Sequence, residues 1–337
     1  MVFCTKNCLC IARLTKPNRN NIIRMEDFAM KLAQTNGTLF KYYGSVAETF
    51  AHLAKAGFKY VDISFYDKFS NGSDYFRRDL EEIADEYKAA LEKTGLIPVQ
   101  SHEPLGNSMG ADGGKFYFKK TPRAIELAGK IGIPTMAIHP GWNFTEDMSR
   151  NEFMTRTAET FKTILETAEK ANVKLLIENT DCMNDGNHLA TAEDLLEMLE
   201  RVGPHPLLGV CWDVGHANLW GGDQYASIKA LGDKLGGIHV SDNLGVRGAE
   251  HDAHEMPFHG NVNFDAVLAA LKEINYRGPF AFEVDAPTVR KGIKPFKVDG
   301  MVVNNLAKIS AELRVESDKL LYNIGKHMLE TYDCFEG

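Results

Sequence analysis

The sequence predicts an α/β fold, a single (β/α)8 TIM barrel, from three observations. Eight short apolar segments each precede a segment of helical character, and such alternation implies a parallel sheet. Eight strand–helix units is the number that closes a barrel. The chain has no stretch rich in Gly, Ser or Pro that would divide its 337 residues into two domains. An open doubly wound sheet is disfavoured because no Gly-x-Gly-x-x-Gly motif follows the first strand.

The predicted strands are short apolar runs, and several of them begin soon after a glycine that ends a helix. They cover residues 30–35, 60–64, 97–102, 135–139, 173–178, 207–212, 237–240 and 279–283. The predicted helices cover residues 46–56, 74–93, 121–130, 151–171, 191–201, 224–235 and 264–275, and residues 301–330 form one or two more. Gly57, Gly95 and Gly132 end three of these helices, and Pro122 suits a first helical turn.

The same pattern divides the chain into three regions. Residues 1–29 show no clear period and carry a polar stretch, so we expect an N-terminal extension outside the core fold. Residues 30–299 form the barrel. Residues 300–337 form a C-terminal helical segment that packs on the barrel.

Composition excludes several classes of protein. The 46 acidic and 38 basic residues give a formal net charge of −8, whereas a nucleic-acid surface needs a basic face. No apolar run approaches the length of a membrane span. The six cysteines are sparse and irregular, and Lys6, Asn7 and Arg13 interrupt what would otherwise be a signal peptide. We therefore expect a cytoplasmic protein without nucleic-acid or membrane partners.

One stretch, residues 207–220, combines a buried strand with two candidate metal ligands. Its apolar run leads directly to Asp213, and His216 follows three residues later, beyond a glycine that permits a tight turn. A carboxylate and an imidazole at the mouth of a strand are common ligands for a divalent metal. Taken alone, the pair is equally well explained by a helix-capping Asp and a loop His.

The positions at or next to the ends of seven predicted strands decide between these readings, because almost all of them carry metal-binding side chains. They are Ser64, His102, His139, Glu178, Asp213, His239 and Glu283. In a parallel barrel these positions meet on the C-terminal face, where catalytic groups lie. The pattern predicts one divalent ion, Mn²⁺, Mg²⁺, Co²⁺ or Zn²⁺, with positions open for substrate oxygens. Such an ion stabilises an ene-diolate or, alternatively, supplies a hydroxide for hydrolysis.

Four motifs, in strand order, resemble those of the xylose isomerase-like barrel superfamily, which includes sugar-phosphate isomerases, tagatose-type 3-epimerases, inosose dehydratases and endonuclease IV. They are Ile177-Glu178-Asn179-Thr180, Val210-Cys211-Trp212-Asp213-Val214-Gly215-His216, Gly237-Ile238-His239-Val240-Ser241-Asp242 and Phe282-Glu283. The resemblance implies one divalent ion bound by four side chains, those of Glu178, Asp213, His239 and Glu283. It also implies that Glu178 and Glu283 are catalytic acid/base groups and that His216 contacts the sugar.

Further residues resemble the additional zinc ligands of endonuclease IV. They are His102, His139, His216, Asp252 and His254. The resemblance implies a second or third zinc ion, and the alternative is that these residues contact substrate hydroxyls. Arg247 is a candidate contact for a substrate phosphate or carboxylate, and equally a solvated loop residue. The acidic chain, with no evident basic DNA-binding loop, argues against DNA repair.

These features predict a metal-dependent isomerase or epimerase that acts on a small sugar or sugar derivative by proton transfer through an ene-diolate. Three alternatives stay open: a multi-zinc phosphodiester hydrolase, a dehydratase-type lyase of a keto-sugar or inosose, and a carbohydrate-binding subunit without catalysis. The sequence does not choose among sugars or metals, and a homo-oligomer is compatible with it.

Overall fold

The computed structural model describes residues 29–70, 73–110, 112–141, 148–180, 189–248, 251–285, 296–299, 301–303 and 309–336. The predicted N-terminal extension therefore lies, apart from its last residue, outside the described residues. Within the described ranges, no helix is long and apolar enough to cross a membrane.

Eight strands alternate with helices along the chain. The strands are β1 Met30–Thr35, β2 Tyr60–Ser64, β3 Ile97–His102, β4 Thr135–Ile138, β5 Lys174–Glu178, β6 Leu208–Asp213, β7 Leu235–Val240 and β8 Pro279–Phe282. The helices are α1 Val46–Ala56, α2 Leu80–Thr94, α3 Lys115–Ile131, α4 Arg150–Ala171, α5 Ala192–Val202, α6 Val214–Trp220, α7 Gln224–Leu231 and α8 Phe264–Glu273.

The eight strands form a closed barrel. Neighbours pair in parallel from β1 to β8, and β1 also pairs with β8, in register from Lys31 opposite Pro279 to Gln34 opposite Phe282. The predicted (β/α)8 TIM barrel is therefore confirmed. Closure brings all strand ends of one polarity to one face, which is the condition for the predicted site.

Local sequence signals account for the helix boundaries. Ser45 caps α1 in a capping box with Glu48, and Gly57 ends the helix at φ 107°, a left-handed conformation that favours glycine. Asp79 caps α2 by accepting the Glu81 N–H. The apolar faces of these helices pack on the outside of the sheet and form the main core.

Two helices begin at residues other than those predicted from the sequence. Residues 74–93 are not continuous: a short 3₁₀ helix, Asp74–Phe76, precedes α2 because Asp79 starts a new helix. Helix α3 begins at Lys115, so Pro122 lies inside it and the first-turn assignment was wrong.

The chain after β8 contains strands that the sequence analysis missed, and one of them lies before the predicted C-terminal segment. Strands β9 Phe296–Val298 and β10 Met301–Val303 pair antiparallel, so the prediction of helix from Met301 was wrong. One helix, α9 Ala311–Thr331, follows, and strand β11 Phe335–Glu336 pairs in parallel with the start of β1. The β-branched and aromatic residues of 296–303 favour strands over helix.

Helix α9 lies over the seam between β1 and β8. A Cβ atom at Gly325 would come within 2.6 Å of Leu32 on β1 and of Phe282 on β8, so only glycine permits this approach. A buried pair also joins α9 to α1, with Asp318 Oδ2 2.5 Å from His52 Nε2. The Tyr43 hydroxyl contacts the other ring nitrogen of His52 at 2.9 Å.

Candidate metal centre

The first cluster is formed by Glu178, Asp213, His239 and Glu283, at the C-terminal ends of four consecutive strands. One ligand atom from each lies within 4.8 Å of the others. The strand geometry explains this convergence, because Glu178 and Asp213 are the final residues of β5 and β6, and Glu283 follows β8 directly. Glu178, Asp213 and His239 are fully buried, whereas the Glu283 side chain is 23% exposed. The cluster is therefore open to solvent mainly on the Glu283 side.

His239 is oriented by contacts at both ring nitrogens. Its Nδ1 lies 3.0 Å from Glu178 Oε1 and 3.2 Å from Glu283 Oε2. Its Nε2 lies 3.1 Å from Asp62 Oδ2, on β2 across the barrel. A carboxylate beside Nε2 favours the tautomer of His239 that carries its proton on Nε2. The Nδ1 lone pair is then directed at the cluster.

Two buried carboxylate oxygens of the cluster lack hydrogen-bond partners among the described residues. They are Glu178 Oε2 and Asp213 Oδ2. Burying a charged oxygen without a partner costs free energy, whereas a cation bound beside each of these oxygens would satisfy it. The donor set of three carboxylates and one imidazole suits a divalent ion of the Mn²⁺ or Zn²⁺ type. The residues present therefore fit the predicted ion.

The second cluster is formed by His102, His139 and Glu178. Both Nε2 atoms lie 3.6 Å from Glu178 Oε2, and the rings meet edge to face at 4.7 Å between centroids. His102 Nδ1 donates to the Glu103 carbonyl oxygen at 2.9 Å, which leaves Nε2 for a ligand. Glu178 therefore belongs to both the first and the second cluster. Its Oε1 faces His239 in the first, and its Oε2 faces the two histidines of the second.

The third cluster is formed by His216 on α6 and by Asp252 and His254 on the loop after β7. Asp252 Oδ2 lies 3.6 Å from His216 Nε2 and 3.0 Å from His254 Nε2. His216 Nδ1 donates to the Asn179 carbonyl oxygen at 2.9 Å. His254 Nδ1 donates to the Glu283 carbonyl oxygen at 2.8 Å. Both histidines therefore present Nε2 to the same carboxylate.

The charges of the first and second clusters depend on one another. Burial disfavours the charged form of Glu178, but the imidazoles of His239 and His139 outweigh it and hold its pKa below the usual range. Burial raises the pKa of Asp213 to about 6. Burial likewise lowers the pKa of His139 to about 3, so at neutral pH this imidazole is uncharged and able to bind a metal.

The third cluster is held together by an ion-pair network. Burial opposes the charged form of His254, but the Asp252 carboxylate outweighs it and raises the pKa of His254 to about 10. Burial also opposes the charge of Asp252, and His254 and His216 outweigh it, so the pKa of Asp252 is lowered. Two protonated imidazoles and one carboxylate carry a net charge of +1, and a divalent cation that displaced both protons would leave that charge unchanged.

The predicted site residues divide among these clusters. Sequence analysis grouped His102 and His139 with the third-cluster residues, whereas the structure places them on the opposite side of Glu178. Arg247 lies outside the clusters and stacks on Trp220, with its guanidinium carbon 4.2 Å from the ring centroid. Its side chain is exposed on the loop after β7.

Sequence analysis missed the residues that orient the ligands. Asp62 bonds His239 and accepts a hydrogen bond from Gln100 Nε2 at 3.1 Å. Asn179 accepts the Asp213 N–H at 2.7 Å and donates to the Asp213 carbonyl oxygen at 2.9 Å. Glu103, fully buried beside His102, accepts the His139 N–H at 2.8 Å. An Asp within the apolar strand β2 is the clearest signal that was available.

The chain is similar in sequence to several known proteins. A family model described as a xylose isomerase-like TIM barrel matches residues 50–299. An uncharacterized protein of Sinorhizobium fredii is 28% identical over 47% of this chain and 50% of that protein, so the chain spans about half the length of that relative. An L-ribulose 3-epimerase of Methylomonas sp. is 28% identical over 69% of this chain and 76% of that protein. A probable endonuclease 4 of Campylobacter concisus is 30% identical over 42% and 53%.

Solved structures share the fold at low identity. A D-tagatose 3-epimerase-like protein superposes with a TM-score of 0.68 at 22% identity, covering 90% of this chain and 98% of that one. The IolI protein, described with a bound zinc atom, superposes with a TM-score of 0.69 at 18% identity, covering 90% and 99%.

Proposed function

This chain belongs to the xylose isomerase-like TIM barrel family, and on that premise we propose that it is a divalent-metal-dependent isomerase or epimerase of a small sugar or sugar derivative. The relatives include proteins named as sugar 3-epimerases and a protein described with bound zinc. A cytoplasmic location is part of the proposal and rests on the sparse cysteines.

The observation that carries the proposal is the arrangement of Glu178 and Glu283 around His239. Their carboxylate oxygens lie 3.0 and 3.2 Å from the same His239 Nδ1 atom. Two carboxylates beside one metal position are what a proton transfer between two faces of a sugar carbon requires. The partial exposure of Glu283 provides access for a substrate, whereas Glu178 is enclosed.

A bound ion would polarise the carbonyl and hydroxyl oxygens of a ketose. One glutamate removes the proton from the carbon beside the carbonyl, and the C–H electron pair forms the ene-diolate. The second glutamate returns a proton to the opposite face of that carbon, which gives the epimer. Return of a proton to the former carbonyl carbon, with transfer of a proton from the neighbouring hydroxyl to the former carbonyl oxygen, gives the isomer. Asp213 and His239 would hold the cation in place, and His216 would contact the sugar hydroxyls.

The test is hydrogen exchange at the reacting carbon. The protein is reconstituted with Mn²⁺, Co²⁺ or Zn²⁺ and incubated with a panel of ketoses in deuterium oxide, and the products are identified by NMR. We expect deuterium at the carbon beside the carbonyl and a new epimer or isomer. Glu178→Gln and Glu283→Gln should each reduce the rate by at least about 100-fold.

Three outcomes would redirect the assignment. Loss of a water molecule from the substrate would identify the lyase alternative, which shares the proton-removal step. Absence of exchange with every sugar, in protein that carries metal, would contradict the isomerase proposal. Binding of sugar without exchange would favour the non-catalytic carbohydrate-binding subunit.

A second candidate function is multi-zinc phosphodiester hydrolysis. The observation in its favour is that three ligand clusters adjoin one another and that Glu178 serves two of them. Relatives named as probable endonuclease 4 support it, whereas the net charge of −8 argues against a nucleic-acid substrate. Two or three zinc ions per chain, together with cleavage of abasic duplex DNA, would favour this candidate over the epimerase.

A further inference from the structure

The loop between β7 and α8 carries Asp252 and His254, and it is organised around one buried carboxylate. Asp242 is 1% exposed. Its Oδ1 accepts the N–H groups of Asn243 at 2.9 Å and Val262 at 3.1 Å. Its Oδ2 accepts the N–H groups of Phe258 and Gly260, both at 2.9 Å. One side chain thus joins the beginning of the loop to its end.

The backbone of Asp242 fixes the middle of the same loop. Its N–H donates to the Glu255 carbonyl oxygen at 2.8 Å, and its carbonyl oxygen accepts the Glu255 N–H at 3.0 Å. Glu255 follows His254 directly. His254 itself has φ 46°, an unfavourable conformation for a residue with a side chain, so surrounding contacts must hold it. The paired hydrogen bonds to Asp242 supply that restraint one residue away.

Asn243 holds α6 in place through hydrogen bonds of its own side chain. Its Nδ2 donates to the Gly215 carbonyl oxygen at 2.9 Å, and its Oδ1 accepts from Asn218 Nδ2 at 2.8 Å. Gly215 immediately precedes His216. A Cβ atom at Gly215 would lie 2.3 Å from Ser241 Oγ, so α6 approaches this segment as closely as glycine permits. The segment therefore contacts both chain regions that contribute to the third cluster.

We propose that Asp242 and Asn243 are positioning residues that assemble the third cluster, by fixing the Asp252–His254 loop against the His216 helix. Asp242 acts through the backbone N–H groups that it accepts, and Asn243 acts through the Gly215 carbonyl oxygen and the Asn218 side chain. The proposal rests on the proposed function in one respect, that the third cluster binds a cation or a substrate. The restraint on the loop is independent of that function.

The chemistry of Asp242 predicts a graded response to substitution. Asparagine keeps one acceptor oxygen but places an NH₂ group against two N–H donors, which removes two hydrogen bonds and adds repulsion. Alanine removes both acceptor oxygens and leaves four N–H groups to find water. Either change lowers the free energy required to open the loop locally, and the alanine variant should open it more.

The experiment compares Asp242→Asn and Asp242→Ala with the wild type and with Asp112→Asn. Asp112 is a matched control because its carboxylate accepts the N–H groups of Gly114 and Phe116, each at 2.9 Å, at the start of α3. Amide hydrogen exchange is measured on metal-free protein. Zn²⁺ affinity is measured for each equivalent by competition with a chelator.

We expect faster exchange in the segment that contains Phe258, Gly260 and Val262, in the order alanine, asparagine, wild type, with unchanged exchange in β5. We also expect one Zn²⁺ equivalent to weaken by about 10- to 100-fold while another keeps its wild-type affinity. Asp112→Asn should change neither. Unchanged exchange in the loop of both Asp242 variants would overturn the proposal, as would an equal loss of every equivalent.

The two readouts separate this proposal from the proposed function. A wild type that binds a single Zn²⁺ ion would overturn the third cluster as a metal site, and the exchange rates would still decide whether Asp242 fixes the loop. If the wild type shows no sugar epimerase activity, the exchange rates and the Zn²⁺ affinities still test the present proposal. Because Asp242→Asn removes only two of four hydrogen bonds, it tests the proposal even if Asp242→Ala fails to fold.

Discussion

Asp62 Oδ2 lies 3.1 Å from His239 Nε2, and both side chains are almost fully buried. The contact spans 177 positions of the sequence and joins the second strand of the barrel to the seventh. A carboxylate behind a ligating histidine fixes the ring and raises its basicity, and its loss weakens metal binding. Asp62 is therefore a support for the first cluster, although it does not face the cation position.

Substitution of Asp62 by asparagine should weaken the tightest metal equivalent by about 10- to 100-fold. An amide oxygen still accepts from His239 Nε2, but it carries no charge to increase the basicity of Nδ1. Chelator competition with Zn²⁺ measures the change. Asp85→Asn, on the exposed face of α2, is the control. An affinity equal to that of the wild type would show that Asp62 does not tune His239.

Glu178→Gln and Glu283→Gln should differ in the number of metal ions lost. Glu178 offers one oxygen to each of two clusters, whereas Glu283 belongs only to the first. If two ions bind, Glu178→Gln should weaken both and Glu283→Gln only one. Metal analysis after dialysis at a fixed free Zn²⁺ concentration measures the difference. Identical losses in the two variants would contradict a bridging role for Glu178.

Glu103 should make stability fall as the pH rises. Burial raises the pKa of this carboxyl from 4.5 to about 8 in the folded protein. Between these values the unfolded chain releases the proton while the folded chain keeps it, so the stability present below about pH 4.5 is lost as the pH approaches 8. One pKa unit corresponds to about 1.4 kcal/mol, so the loss reaches up to roughly 5 kcal/mol.

Glu103→Gln should remove this pH dependence, because glutamine resembles the protonated acid and still accepts the His139 N–H. Its stability in urea should equal that of the wild type near pH 5 and exceed it near pH 8. Glu166→Gln, on the exposed face of α4, controls for the loss of charge. A constant difference between Glu103→Gln and the wild type across this range would refute the assignment.

Asp318→Ala should destabilise the fold by about 3 kcal/mol, because it leaves the buried His52 Nε2 without its partner and releases α9 from α1. Urea unfolding measures the change. Asp333→Ala is the control, since Asp333 is exposed and pairs with Lys272 at 3.6 Å, an arrangement that contributes less than about 1 kcal/mol. Equal midpoints for the two variants would mean that the pair does not anchor α9.

The grouping of the candidate metal ligands was predictable from sequence, because parallel strands bring residues that are distant in the chain together at one end of the sheet. Glu178, Asp213 and Glu283 stand at the ends of apolar runs, and barrel closure places such ends on one face. No knowledge of register was needed to group them. The barrel, the family and the ligand-bearing strands could all be inferred in this way.

The supporting residues could not be grouped in the same way, because their partners depend on register and loop conformation. The Asp62 side chain contacts His239 across the barrel interior. The register between β2 and β3 shifts between Val61 and Asp62. The separation of His102 from His216 depends on which oxygen of Glu178 each ring faces. Asp242 binds N–H groups of Phe258 and Gly260, whose positions no local pattern specifies.

The pairing of β1 with β8 also determines when the site can exist during protein synthesis. Lys31 pairs with Pro279, so a nascent chain on the ribosome has an open sheet edge until nearly all of the barrel has been translated. Glu283 emerges only after that point, and the first cluster stays incomplete until then. A metal ion could therefore reach a finished cluster only late in translation or after release, and earlier intermediates carry unpaired strand edges, which favour aggregation.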